Sequence, residues 1–323
     1  MTLKLITTGG TIATVAIETE GRTRAALAGA DLAAFAGVEA DIDVEDVALS
    51  PSWALSPADM LRVALIARGA ARSGRWTGVV VTHGTSTLEY TAFLAELVND
   101  SDIPIIFTGA MRNASAGDPD GPRNLADAIR VATATQSHGH RALVVFAGLV
   151  IPARSAWKMK RDQVDAFISV GGNPGSVGDH DLRLPDIPAA TPAFAGVLDE
   201  RVGLVKVYPG LLPQMLDAAV PHDWHGLVLE ALPGAGGVPS NLHPTLSAIG
   251  DRVPVVVSSR APVGRVPSPP TGGTGEPLAG MNLLSAGDLT SEKAWLLLMA
   301  SLGQSRSVDE ARDLFRRYAS AGE

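Results

Sequence analysis

The sequence predicts an α/β protein of two domains, a larger N-terminal parallel-sheet domain and a smaller C-terminal α/β domain. Three observations predict it. Apolar runs of strand length alternate with helical patterns from residue 3 to residue 147. A stretch at 185–196 containing Pro185, Pro188 and Pro192 interrupts that alternation, which then restarts. The chain has 323 residues, enough to bury two cores.

The elements follow in order. Strands are predicted at 3–7, 43–48, 78–82, 103–107 and 142–147, with helices at 30–36, 57–72, 86–99 and 123–135 between them. The second helix opens on Ser56-Pro57-Ala58-Asp59, a capping box with proline at the first helical position. Ser86-Thr87-Leu88-Glu89 reads as a second capping box, with Ser86 as the N-cap. Continuously apolar strands joined by helices imply a parallel sheet covered on both faces. Residues 1–184 form the first domain, 185–200 the linker and 201–323 the second domain. In the second, strands are predicted at 203–208, 226–231 and 253–258, and helices at 211–219, 240–249, 290–302 and 308–319. Residues 262–275, rich in Pro, Gly, Ser and Thr, read as a loop.

Composition narrows the function. A net charge of −8 with no run of Lys or Arg argues against a nucleic-acid partner. Cysteine is absent, which removes disulfides, thiolate nucleophiles and cysteine metal sites. No apolar run approaches the roughly 20 residues of a membrane span. Met1 runs directly into the first strand, which predicts a chain without a secretory signal and a cytoplasmic protein. His138 with His140, and His222 with His225, have metal-like spacings but no third ligand of obvious geometry nearby, so surface histidines are expected.

The chemistry gathers at strand ends. Thr8-Gly9-Gly10-Thr11-Ile12-Ala13 follows the first strand, and Thr82-His83-Gly84-Thr85-Ser86-Thr87 spans the end of the third. Ser52 follows the second strand, Met111 and Arg112 follow the fourth, and Lys158 lies downstream of the fifth. Parallel strands place their C-terminal ends on one edge, where open α/β sheets bind ligands. A threonine hydroxyl attacks only after a base takes its proton. His83 is one candidate base, although adjacent side chains of an extended segment point to opposite faces. Lys158 is another, because desolvation lowers a lysine pKa. Gly9, Gly10 and Gly84 would let main-chain N–H groups approach an oxyanion.

These residues resemble the bacterial-type L-asparaginase and glutaminase-asparaginase family. The two threonine motifs match its signatures, and the likeness continues through Gly109-Ala110-Met111-Arg112 and Asp120-Gly121-Pro122-Arg123-Asn124-Leu125. It extends to Ser258-Ser259-Arg260 and Leu289-Thr290-Ser291-Glu292-Lys293-Ala294, and so covers nearly the whole chain in order. The resemblance implies a two-domain asparaginase-like fold with Thr11 as the nucleophile and Thr85 with Lys158 as a second catalytic pair. Lys158 lies four residues after Arg154 and nine before Phe167, as in the family. Ser52 would contact the substrate carboxylate, with Gly10, Trp53, Gly84, Ser86, Ala110 and Met111 completing the substrate-binding set. A homodimer or homotetramer without cofactor or metal is implied.

The chain departs from that family at several positions. Ser86 stands where the family has an aspartate that grips the substrate's α-ammonium. Trp53 stands where a polar residue is usual. Residues 14–29 contain no tyrosine, although the family's mobile loop supplies one. Gly237 aligns with an asparagine lent by the neighbouring subunit, and Glu276 aligns loosely with a C-terminal glutamate. Glu18, Glu20 and Glu276 are candidates to replace the missing aspartate. The expected activity is hydrolysis of a small-molecule carboxamide that lacks a free α-ammonium group. Alternatives are an ordinary L-asparaginase or glutaminase, a non-catalytic binding homologue that keeps the pocket, and an ammonia-supplying amidotransferase subunit.

Overall fold

The computed structural model describes residues 2–17, 22–37, 40–47, 50–187, 191–234, 236–271, 278 and 281–320. The chain divides into two compact units, Met1–Ile187 and Pro188–Glu323.

The first unit begins with β1 (Thr2–Thr7), a ribbon of β2 (Thr14–Ile17) and β3 (Arg22–Ala25), and helix α1 (Gly29–Phe35). It continues through β4 (Asp41–Asp46), α2 (Pro57–Arg72), β5 (Gly78–Thr82), α3 (Leu88–Val98), β6 (Ile105–Thr108) and α4 (Gly121–Thr133). It closes with β7 (Ala142–Phe146), β8 (Leu149–Pro152), β9 (Ala156–Lys158), β10 (Phe167–Ser169), β11 (Gly175–Val177) and β12 (Leu182–Arg183).

Eight of these strands form one sheet in the order β12-β11-β8-β7-β6-β5-β1-β4. The five from β4 to β7 are parallel, as the continuous apolar runs predict. The sheet is then extended by β8, β11 and β12, each antiparallel to its neighbour. The reversal occurs at Ala147 and Gly148, with φ of +48° and +79°. Two successive residues in the left-handed region make the tight turn that matches strand twist. The Ala147 N–H is held there by the Asn124 side chain at 3.0 Å.

Both faces of the parallel strands are apolar because helices cover both. Leu3, Leu5, Val80, Ile106, Leu143 and Val145 pack with Leu125, Ala128 and Ile129 of α4. Val79, Val81, Ile105 and Phe107 are buried on the opposite face, where α2 and α3 pack against β5 and β6. The edge strand β4 is different. Its Asp43 and Glu45 carboxylates flank the Lys4 amine of β1 at 2.7 and 2.9 Å. A charged edge of this kind resists pairing with another chain.

The second unit contains β13 (Val202–Lys206), α5 (Pro213–Ala218), β14 (Gly226–Ala231), α6 (His243–Gly250) and β15 (Val255–Ser259). β16 (Leu283–Ser285), α7 (Ser291–Gln304) and α8 (Val308–Ala319) complete it. Its four strands run parallel in the order β13-β14-β15-β16. Leu227, Leu229, Val255 and Val257 pack there against Leu216, Leu242, Leu246 and Ile249. Residues 262–271 carry no helix or strand, and 272–275 lie outside the described residues. Among the described residues no helix is long and apolar enough to cross a membrane.

The capping box at α2 forms as the sequence predicts. The Ser56 hydroxyl accepts the Asp59 N–H at 3.1 Å, and the Asp59 carboxylate accepts the Ser56 N–H at 3.0 Å. Replacing Ser56 with Ala leaves the Asp59 N–H without that acceptor. A loss of about 1 kcal/mol is expected, read as a lower urea midpoint with an unchanged slope.

Candidate active site

The site is built on main-chain contacts between adjacent strand ends. β1 and β5 pair in register, Thr7 opposite Thr82. Beyond the pair, Thr8 donates both its N–H and its hydroxyl to the Thr82 carbonyl, at 3.1 and 3.0 Å. The chain then turns through Gly9 and Gly10, with φ of +84° and +85°. A side chain on Gly10 would meet the Gly84 Cα at 2.5 Å. One on Gly84 would meet the Ser52 hydroxyl at 2.6 Å, and one on Gly109 the His83 carbonyl at 2.4 Å. The absence of these Cβ atoms lets the turns after β1, β4, β5 and β6 close on one another.

Thr11 begins a single helical turn, Thr11–Ala13, directly after that contact. It is half-buried, and among the described residues its hydroxyl has no hydrogen-bond partner. Thr85 is buried, and the Lys158 amine donates to its hydroxyl at 2.7 Å. Lys158 ends β9, opposite Phe167 of β10, whose ring packs on Phe146 with centroids 4.9 Å apart. The structure therefore joins Thr85 to Lys158 directly and brings the Thr11 turn against Gly84. Burial pulls the Lys158 amine below the ordinary lysine range, while the Glu89 carboxylate opposes that pull.

Ser52 is buried in a single helical turn, Ser52–Ala54. Its hydroxyl accepts the Ser86 N–H at 3.2 Å, and its carbonyl accepts the Thr87 hydroxyl at 2.8 Å. Trp53 is 74% exposed. Ala110 is buried, and Met111 is half-buried beside it. The Asp120 carboxylate accepts the N–H groups of Met111 and Arg112, at 2.9 and 2.8 Å. Asn124 donates to the Gly109 carbonyl at 3.0 Å, so the start of α4 holds this turn in place.

Three readings of the sequence are corrected, the first being the surface placement expected of His140, which is buried. Ser86 is not a helix cap: α3 begins at Leu88 behind Thr87, and no side chain caps it. The Glu89 carboxylate instead accepts the main-chain N–H of Lys158. The tertiary donor wins over the local one because Glu89 is only 5% exposed and its side chain is turned inward. His83, the other candidate base, is fully buried and committed. Its Nδ1–H donates to the Gly84 carbonyl at 2.9 Å, which leaves Nε2 to accept the Thr91 hydroxyl at 3.0 Å. Burial pushes its pKa down to about 4.

Among the other candidates, Gly237 bridges Leu232 in a short antiparallel contact. Glu18, Glu20 and Glu276 lie outside the described residues. His222 faces the Arg252 guanidinium and His225 the Asp199 carboxylate. Among the described residues, no three His, Cys, Asp or Glu side chains are grouped as a metal site. Glu89 is the residue that sequence reasoning missed. Its signal was a carboxylate four positions after Thr85, on the first turn of the helix that follows the motif.

Comparison with known proteins gives the family. Residues 2–184 match the asparaginase N-terminal domain, and residues 201–315 the glutaminase/asparaginase C-terminal domain. A probable L-asparaginase of Deinococcus radiodurans is 35% identical over 322 residues, 97% of this chain and 96% of that protein. The thermostable L-asparaginase from Thermococcus kodakarensis superposes with a TM-score of 0.87 at 29% identity, covering 100% of this chain and 99% of that one. A glutamyl-tRNA(Gln) amidotransferase subunit of Methanobrevibacter smithii is 28% identical over 74% of this chain and 57% of its own length. Fold and matches together define a class, the hydrolases of carbon–nitrogen bonds in linear amides. Within that class, the chain belongs to the asparaginase family.

Two outcomes follow from the geometry. Gly10→Ala adds a Cβ 2.5 Å from main-chain atoms at a φ of +85°. Amidase activity should fall at least about 100-fold, a misplacement cost of the size expected when reacting groups shift by about 1 Å. The second concerns pH. His83 resists protonation when folded, so the unfolded chain takes up the proton first. The resulting stability is complete above pH 6.5 and is lost as pH falls from there to about 4. The loss is on the order of 3 kcal/mol. Urea midpoints measured across this range should fall more steeply for the wild type than for His83→Gln.

Proposed function

We propose that this chain hydrolyses a carboxamide through an acyl-enzyme on Thr11. The observation that carries the reading is the 2.7 Å contact between the Lys158 amine and the Thr85 hydroxyl, in a site where Gly10 abuts Gly84. Neutral Lys158 takes a proton through Thr85 as the Thr11 hydroxyl oxygen attacks the amide carbon. Main-chain N–H groups of the glycine turns receive the oxyanion. The same proton passes to the departing nitrogen, and the C–N bond breaks to release ammonia or an amine. Water then attacks the Thr11 ester and gives up a proton to the relay, which passes it to the departing Thr11 oxygen; the C–O bond breaks and the acid product leaves, ionising in water to the carboxylate. The lowered pKa of Lys158 supports its role as a base. No cofactor enters the reaction. The enzyme works in the cytoplasm as a homodimer or homotetramer.

The preferred substrate lacks a free α-ammonium group. Ser86 offers no charge to such a group, and its N–H is engaged by Ser52. Losing a charge-assisted bond costs on the order of 2–5 kcal/mol, about 1.5 to 3.5 decades in specificity. The exposed indole of Trp53, next to Ser52, suits an acyl or larger substituent at the same position. A second reading, ordinary L-asparaginase activity, is favoured by the 35% identity to the Deinococcus radiodurans protein.

Ammonia release from a panel of carboxamides, each paired with Thr11→Ala, tests both readings. The panel contains L-Asn, D-Asn, L-Gln, N-acetyl-Asn, succinamic acid and aromatic amides. Thr11→Ala should abolish turnover. The wild type should favour N-acetyl-Asn and succinamic acid over L-Asn by about 100-fold or more in kcat/KM, and Ser86→Asp should reverse the preference. Equal use of L-Asn and N-acetyl-Asn, unchanged in Ser86→Asp, would refute the substrate claim.

A further inference from the structure

Glu89 is a buried carboxylate that the proposed reaction does not use. A buried charge persists only with partners. It extends from the first turn of α3, four residues after Thr85, and takes the main-chain N–H of Lys158. That N–H points away from β10, because β9 pairs with β10 through the neighbouring Met159 N–H, bound to the Ala166 carbonyl at 2.8 Å. The β9–β10 pair is a two-stranded ribbon outside the main sheet. Its hold on α3 at this point therefore fixes where the Lys158 side chain starts.

The turn after β5 presents Thr85 and the uncharged Ser86. β10 presents Phe167 opposite Lys158. The nearby Lys160 and Asp165 of the same ribbon pair with each other. Glu89 supplies the negative charge that acts on the amine.

We propose that Glu89 is a positioning residue: its carboxylate anchors the Lys158 main chain beside Thr85 and balances the charge of the Lys158 side chain when that is protonated. The inference rests on the reading of Lys158 as the base, and its consequences separate from that reading. The anchor and the charge are distinct functions of one group, so different substitutions remove them separately. Glu89→Gln keeps a carbonyl for the Lys158 N–H and removes the charge. Glu89→Asp keeps the charge and shortens the reach.

Two measurements test this. The first is the pH profile of kcat/KM on whichever amide the wild type turns over. Without the anion Lys158 loses its proton more readily, so the acidic limb should move down by about 1 pH unit in Glu89→Gln. The plateau should stay within about threefold of wild type. In Glu89→Asp the limb should stay in place while the plateau kcat falls about tenfold. The second needs no turnover: NMR of lysine labelled with 13C at Cε, with Lys158 assigned by its loss in Lys158→Arg. The Lys158 resonance should titrate lower in Glu89→Gln than in wild type. An unmoved Lys158 midpoint in folded Glu89→Gln overturns the proposal. A moved midpoint together with a silent amide panel keeps the proposal and overturns the amidase reading instead.

Discussion

The contact between Gly10 and Gly84 is the constraint on which the site depends. Two turns from neighbouring parallel strands meet main chain to main chain, closer than any Cβ allows. The register of β1 with β5 and the double bond from Thr8 to the Thr82 carbonyl bring them there. Each glycine immediately precedes a threonine. The positions of Thr11 and Thr85 are thus set by backbone geometry, which is stiffer than any arrangement of side chains. Ser52 packs against the other side of Gly84, and Gly109 against His83, so four strand ends share one set of close contacts. Preorganisation of this kind removes the need to order reacting groups during the reaction.

Around that frame the electrostatics are a contest between burial and one anion. Desolvation acts more strongly on Lys158 than the Glu89 charge does, so the amine lies below its ordinary range. A lysine wholly without an anion nearby would be easier to deprotonate and harder to hold in place. A lysine with a closer carboxylate would stay protonated and act only as a donor. His83 shows the other extreme. It is neutral and enclosed between a carbonyl and a hydroxyl, and it reinforces the turn that carries Thr85.

The sequence was most legible where pattern and physics coincide. The strands leading to each motif are largely apolar, with Lys4 of β1 the charged exception, and helices cover the sheet on both faces. The capping box at Ser56 formed because both partners lie three residues apart at the exposed start of α2. The one expected at Ser86 did not form, and the Glu89 carboxylate instead takes a donor that lies 69 residues away in sequence. Local pattern cannot weigh such a partner. The β7–β8 reversal was missed for a related reason: Ala147-Gly148 lacks the usual Asn-Gly signal, and the turn is held from outside by Asn124. The short strands β9 to β12 are only two or three residues long and carry no periodicity to read. Motif spacing pointed to the same strand edge that the structure uses for Thr11, Ser52 and Thr85.

Chemistry and specificity occupy different parts of this site. The groups proposed for proton transfer lie on the β5 and β9 side, where Thr85 is buried and Lys158 half-buried. The groups proposed for recognition, Trp53 and Ser86, are exposed and meet through Ser52. A substitution among the buried groups disturbs packing and relay together. A change at position 53 or 86 leaves the core and the helix caps as they are, since both side chains are exposed and neither caps a helix. The aspartate-to-serine difference is therefore tolerable to the fold. By the same logic it leaves the proposed nucleophile and base in place, so that on the proposed reading position 86 is free to vary with the substrate. The family likeness along the chain thus carries the reaction class, and the proposed substrate preference rests on these few exposed positions.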